Sequence, residues 1–521
     1  MSLSRVCSTF ALSILLGSAL GGCGDDSETG GGGAGGSSPQ QLPPLSKAPL
    51  TTEETITPRI EPDQVGYLNP RLPEDVTRLL NEGYGDYDKT EGEASTRRTL
   101  DDAAAPEPGP NAAVLTRFVH LADIQLADDE SPARVVNVDS PQGLTGGAFR
   151  PQEGHECRIV NAAVRTINRI NDDTPIDFVV LGGDNTDNAQ SNEVDWILGI
   201  LSGSELVDCD SGVDDDPTPG PNNDPKDPFV PEGLAMPYFW VSGNHDILNQ
   251  GNFPPAPKEA EYLSDYASVG TRDWSSPGGP VVLGDMPADE RRIPLSGSDL
   301  LAKVHADADG HGIPSEIISS GRAMYAADLE NAPIRLIVLD TAAPSGSADG
   351  LLHQSDIDDF LIPALDGAVA AGRYVIVTSH HISGQLTDGG GFGGVAQDDA
   401  VLPDALQTVL LQYPNVLMHL AGHTHHHKVG RVVSETDGSA YWEVETAALA
   451  DFPNQMRTVE IWDLDNGFLG IRLVAFDYQT ENDPIAEEGR RLGFLDFTSG
   501  WQSDGRGHAD ERNVELYVPM P

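Results

Sequence analysis

Five apolar runs in this chain lead directly into residues that hold metal ions or move protons. Phe118 to Ala122 leads to Asp123, and Gln125 shares its face of an extended chain. Phe178 to Leu181 leads through two glycines to Asp184. Tyr238 to Val241 leads to Asn244, His245 and Asp246. Tyr374 to Ser379 leads to His380, and Val416 to Ala421 leads through Gly422 to His423 and His425. Carboxylate, amide and imidazole form a hard-to-borderline donor set, suited to Mn, Fe or Zn. One ion cannot use so many donors, so the pattern calls for two divalent ions.

The elements around these residues follow from hydrophobic spacing. Short, nearly continuous apolar runs suit strands buried on both faces. Helical spacing lies between them, over about 155–171, 191–202, 355–371 and 400–412, with Asn161, Val164, Ile167 and Ile170 along one stripe. Strands alternating with helices predict an α/β or mixed sandwich core, whose strand ends share one edge. After residue 425 the strands crowd together at 428–434, 440–446, 456–463 and 468–477, which predicts antiparallel pairing. Residues 207–235 and 249–320 interrupt the pattern as insertions.

The combination Gly183-Asp184, Gly243-Asn244-His245-Asp246 and Gly422-His423-Thr424-His425, with Asp123 upstream and His380 between, resembles the calcineurin-like metallophosphoesterase signature. The resemblance covers roughly 117–430, and the wider pattern is similar to a group of secreted bacterial lipoproteins. It implies an α/β fold, a four-layer α/β/β/α sandwich with loop insertions. It also implies metal-dependent hydrolysis of a phosphomonoester or phosphodiester. Asp184 would bridge two ions, Asp123 and His425 would bind the first, and Asn244, His380 and His423 the second. His381 follows His380 directly, so that register is open by one residue. His245 would contact the phosphoryl group or protonate the leaving group, and Asp246 would orient His245. Two ions about 4 Å apart activate a shared water and clamp phosphoryl oxygens.

The chain departs from this family at its first strand, where Asp-x-His is usual and Asp123-Ile124-Gln125 stands instead. The amide oxygen of Gln125 is then expected to be a weaker, neutral ligand to the first ion. His427 has the strand parity of His423 and His425 and is a minor candidate to compensate. Asp187 sits where a tyrosine would point to the purple acid phosphatase branch. A competing expectation is a non-catalytic surface lipoprotein that uses a degenerate fold of this kind as a binding module.

The chain has 521 residues, with 82 acidic against 31 basic side chains and a net charge of -51. Such a surface repels nucleic acid polymers and anionic membranes. An anionic substrate therefore needs concentrated local positive charge. Arg291 and Arg292 are candidates to hold substrate phosphate, although an exposed ion pair is the stronger expectation for them. Residues 1–23 resemble a lipoprotein signal peptide whose lipobox ends at Cys23, the lipidation site. A flexible Gly/Ser/Pro tether over 24–50 and an extended lead-in over 51–115 follow. The catalytic domain is expected over 116–480, with a C-terminal extension, 481–521, packed on it. The expected location is the cell envelope, on a lipid anchor facing the periplasm or exterior. In that oxidising compartment Cys157 and Cys209 are candidates for a disulfide.

Overall fold

The computed structural model describes residues 39–521, except 64, 142–146, 213–222 and 277. The expected signal peptide and Cys23 lie outside the described residues. Two sheets carry the fold. The larger has seven strands, in the order Thr96–Thr99, Val514–Pro519, Phe468–Asp477, Gln455–Asp463, Ala113–Leu121, Phe178–Leu181 and Tyr238–Phe239. The smaller has six, in the order Lys428–Val433, Ala440–Glu445, Val416–Ala421, Tyr374–Thr378, Ile334–Val338 and Tyr325–Asp328.

Strand alternation sorts the core into layers. In Ile334–Val338, residues Ile334, Leu336 and Val338 join one core, together with Met418 and Leu420 of the same sheet. Val459, Ile461, Ile471 and Leu473 of the larger sheet lie in that same core, so the two sheets pack on each other. The intervening Ile337, with Val375 and Val377, joins a second core with Leu361, Leu365, Leu406 and Leu410. Those four residues belong to the helical segments Asp356–Leu361, Ile362–Ala370 and Pro403–Leu411. The larger sheet carries its own helices. Glu156–Asp173 buries the predicted stripe of Asn161, Val164, Ile167 and Ile170. Ser191–Ser202 ends where Gly203 turns to a positive φ of 77°. The result is a mixed α/β architecture of central sheets with flanking helices.

The strands after residue 425 form two antiparallel hairpins, as spacing predicted, but the hairpins go to different sheets. Ala440–Glu445 joins Val416–Ala421 in parallel, whereas Gln455–Asp463 runs antiparallel to Ala113–Leu121. Parts of the lead-in and of the C-terminal extension are woven into the larger sheet. Val514–Pro519 pairs with Phe468–Asp477 on one side and with Thr96–Thr99, from the lead-in, on the other. Both flanking segments therefore supply strands to the sheet itself. Helix Pro484–Thr498 starts where the Asp483 side chain accepts from Ala486 N, and Arg158 anchors Asp483 at 3.2 Å.

The insertions are partly structured. Val207 and Phe229 bridge across the first, and Cys157–Cys209 is a disulfide with its Cα atoms 6.7 Å apart. The second contains a hairpin, Tyr266–Arg272 with Val281–Asp285, and helix Gly297–Ala306, whose Leu300, Leu301 and Val304 reach the main core.

Candidate metal and catalytic site

The residues singled out by spacing converge at the edge shared by the two sheets. Several leave their strands in an unusual backbone. Asp123, Gln125, Asp184, His423 and His425 have φ of 51°, 45°, 53°, 69° and 58°. Non-glycine residues populate this left-handed region at a cost of about 1 kcal/mol each or more, and such strain collects at functional sites. Here it turns each side chain back over the strand end. The glycines before them have a steric reason. A Cβ on Gly243 would collide with the Asp184 carboxylate, and one on Gly422 with that of Asp123.

Backbone amides hold the carboxylates in place. His423 N donates to both oxygens of Asp123 at 3.0 Å, and His245 N donates to Asp184 Oδ1 at 2.8 Å. His380 turns Nδ1 to the Gly182 carbonyl at 2.9 Å, which leaves Nε2 3.0 Å from Asp184 Oδ2 and 3.8 Å from Asp123 Oδ1. His425 Nε2 lies 3.3 Å from Asp123 Oδ1, and its Nδ1 lies 2.5 Å from Asp451 Oδ2. His381 spends both nitrogens elsewhere, on Thr341 Oγ1 at 2.9 Å and the Ala348 carbonyl at 2.8 Å. Of the two candidate registers, only His380 therefore faces the paired aspartates.

This donor set fits divalent cations. Ligand atoms of Asp123, Asp184 and His380 all lie within 4.8 Å of one another. Asn244 gives its amide N–H to the Gly251 carbonyl at 3.1 Å, and its buried Oδ1 has no hydrogen-bond partner. An orphaned acceptor of this kind is costly unless it serves a ligand.

Without a metal ion the two aspartates draw protons onto their neighbouring imidazoles, which a bound cation would displace. Burial pulls the His380 and His425 pKa values down, but Asp184 acting on His380 and Asp123 on His425 outweigh it. The two rings rise to about 9 and about 10. Burial pushes Asp184 up, yet His380 and His245 hold it well below the usual carboxylate range. Burial, with the neighbouring His381, keeps the His423 ring neutral, the form that ligates a metal.

The geometry revises the roles expected of Gln125 and Asp246, and it removes Arg291, Arg292 and His427 from the site. Gln125 turns its Oε1 to Arg150 Nη2 at 2.5 Å and its Nε2 to Asp184 Oδ2 at 3.3 Å. Guanidinium has only donors and carboxylate only acceptors, so this orientation of the amide is dictated by both neighbours. Gln125 thus presents N–H, not oxygen, on the Asp184 side. Asp246 does not reach the His245 ring. It accepts from Gly243 N at 2.7 Å, Asn185 N at 2.9 Å and Thr186 N at 3.0 Å, bracing the turn that carries Asp184. Asp187 takes the place expected of Asp246, with Oδ1 2.8 Å from His245 Nδ1. Arg291 and Arg292 lie away from the site cavity, because their charge is already used. Arg291 pairs with Asp289 at 2.5 Å, and buried Arg292 pairs with Asp128 at 2.9 Å and Ser211 Oγ at 2.8 Å. His427 is also elsewhere, bonded to Gln455 and to the Ala447 amide.

A cavity of about 520 Å³ opens over Asp184, Asn244, His245, His423 and His425. Its lining also includes the apolar side chains of Val135, Val138, Phe253 and Phe392. The two phenyl rings meet edge to face at 5.5 Å. Arg150, which follows the first strand and was expected either to border the site or to sit in a plain turn, lines the cavity; Asp187 and Asp451 complete the site and were not singled out for it by the sequence.

The sandwich and its cluster of carboxylates and imidazoles at one sheet edge define a metal-dependent hydrolase. The calcineurin-like phosphoesterase profile matches residues 116–427. The chain belongs to that family and is a phosphoric ester hydrolase. Among solved structures it is similar to a dimetal phosphatase from Danio rerio, at 14% identity and a TM-score of 0.38, over 70% of this chain and 100% of that one. It is also similar to GAP50, the anchor in the inner membrane complex of Plasmodium, at 11% identity and a TM-score of 0.30, over 73% of this chain and 95% of that one. No curated protein matches it.

Proposed function

We propose that this protein hydrolyses phosphate esters outside the cytoplasm with two divalent ions held at this sheet edge. The observation that carries the reading is the Asp123–Asp184–His380 cluster, with the free Asn244 oxygen beside it. By the family resemblance, Asp184 would be shared by the two ions, with Asp123 and His425 holding the first and Asn244, His380 and His423 the second. The ions, when bound, supply Lewis-acid activation of water and charge for the phosphoryl oxygens.

The chain's own residues do the rest. Asp187 holds His245 by Nδ1, which leaves Nε2 at the cavity, 3.8 Å from Asp184 Oδ2. Burial lowers the His245 pKa, but Asp184 and Asp187 outweigh burial and raise it above the ordinary imidazole value. His245 can therefore deliver a proton to a leaving alkoxide. The apolar side chains of Phe253 and Phe392 suit esters whose leaving group is aromatic or otherwise apolar.

Location outside the cytoplasm is supported by the lipobox pattern ending at Cys23 and by the Cys157–Cys209 disulfide. Among the described residues no helix is long and apolar enough to cross a membrane.

The test is to strip the purified full chain of metal and restore Mn²⁺, Zn²⁺, Fe²⁺ or Ca²⁺ in turn. Hydrolysis of bis-p-nitrophenyl phosphate is followed beside that of p-nitrophenyl phosphate, with Asp184→Asn as control. Metal-dependent turnover lost in the control is expected. Absence of turnover and of bound metal with every ion would overturn the reading.

A further inference from the structure

We infer that Arg150 is a phosphoryl-binding residue of this site, and that Gln125 holds it in position instead of ligating the first ion. The inference rests on the phosphoesterase reading above and adds to it the residue that grips the substrate anion. Among the described residues lining the site cavity, Arg150 is the one Arg or Lys. It is only 2% exposed, and its contacts account for two of its three nitrogens. Nε donates to Asp451 Oδ1 at 2.5 Å. Nη2 donates to Gln125 Oε1 at 2.5 Å and, at 3.4 Å, to Asp451 Oδ2. Nη1 is buried and has no partner.

A guanidinium N–H left unpaired in a buried site is costly, and an anionic oxygen is the ligand that repays it. This chain carries a net charge of -51, so fixed positive charge at the cavity is scarce and must be placed. The substitution at the first strand explains the arrangement. A histidine at position 125 would present a ring nitrogen and no amide oxygen. Glutamine presents one group to each neighbour: Oε1 fastens Arg150, and Nε2 meets Asp184 Oδ2 at 3.3 Å. The first ion then has Asp123, Asp184 and His425 as protein donors. The phosphoryl group has a fork held rigidly by Asp451, which also holds His425.

The experiment uses the Mn²⁺-loaded full chain, with inorganic phosphate as probe. Phosphate affinity is measured by calorimetry and by competitive inhibition for wild type and Arg150→Met, with bound metal counted by elemental analysis. The expected result is a 10- to 100-fold weaker phosphate affinity and a matching rise in KM for the chromogenic ester, at unchanged metal content; ~10-fold is the least that a lost charge-assisted hydrogen bond gives. Unchanged phosphate affinity in a folded Arg150→Met protein overturns the inference. A crystal structure of the wild type with Mn²⁺ and phosphate decides the question if the variant does not fold. A phosphate oxygen within hydrogen-bonding distance of Nη1, with Gln125 Oε1 still on Arg150, supports the inference. Phosphate bound away from Nη1, or Gln125 oxygen on an ion, overturns it. Failure of the phosphoesterase reading is separable, because the wild type would then show neither turnover nor phosphate binding.

Discussion

Asp451 Oδ2 lies 2.5 Å from His425 Nδ1, across 26 residues of chain. The contact directs His425 Nε2 to Asp123 Oδ1, 3.3 Å away. Burial pushes Asp451 up, but Arg150 and His425 outweigh it and keep it ionised. A carboxylate behind a ligating imidazole fixes its tautomer and raises its basicity.

Asp451→Asn is therefore expected to weaken binding of the first ion by about 10- to 100-fold. Calorimetric Mn²⁺ titration of the stripped protein should show one of two sites weakened and the other unchanged. Two sites of wild-type affinity would contradict the assignment.

Asp187→Asn should lower kcat with little effect on KM, because Asp187 positions His245 and lines no part of the cavity. General-acid assistance accounts for about 10²–10⁴-fold in typical enzymes, and it matters most when the leaving group is a poor one. The loss should be large for alkyl esters and small for p-nitrophenyl esters. Equal loss for both would show that His245 does not protonate the leaving oxygen.

The Cys157–Cys209 bond closes a loop of 52 residues and ties the first insertion to helix Glu156–Asp173. Chain-entropy arithmetic puts its contribution at up to about 4 kcal/mol. Urea unfolding of Cys157→Ser/Cys209→Ser should show a loss of about 2–4 kcal/mol, and reductant should reproduce it in wild type but not in the variant.

Acid should destabilise the fold through its buried neutral histidines. Burial, with a neighbouring arginine, depresses His120 and His155 from 6.5 to about 3. Between those values the unfolded chain binds more protons than the native one. Stability is thus complete above pH 6.5 and falls as pH drops toward 3, by up to about 1.4 kcal/mol per pH unit for each ring. His155 packs edge-on against Trp274, centroids 6.1 Å apart, so His155→Phe retains apolar contact. Denaturation at pH 7, 6, 5 and 4 should give a shallower slope for the variant, and identical slopes would exclude His155 as a source.

The candidate ligand positions Asp123, Asp184, Asn244, His380, His423 and His425 were legible in the chain alone. Each lies at the end of an apolar strand, and Asp184, Asn244 and His423 each follow a glycine that leaves room for a neighbouring site residue; those are local properties. The sandwich was legible for the same reason, since alternating apolar runs and helical stripes are read over a few residues. What tertiary structure decided are the partners of those ligands. Asp187 meets His245 across 58 residues, and Arg150 meets Asp451 across 301. No periodicity encodes such distances, because they depend on how two sheets and their loops come together. The same holds for Gln125. Its position on the strand was evident, but the direction of its amide was set by a guanidinium on one side and a carboxylate on the other. Sheet membership of Thr96–Thr99, at the edge, and of Val514–Pro519 beside it was likewise settled only by packing, since each is placed by a neighbour distant in the chain.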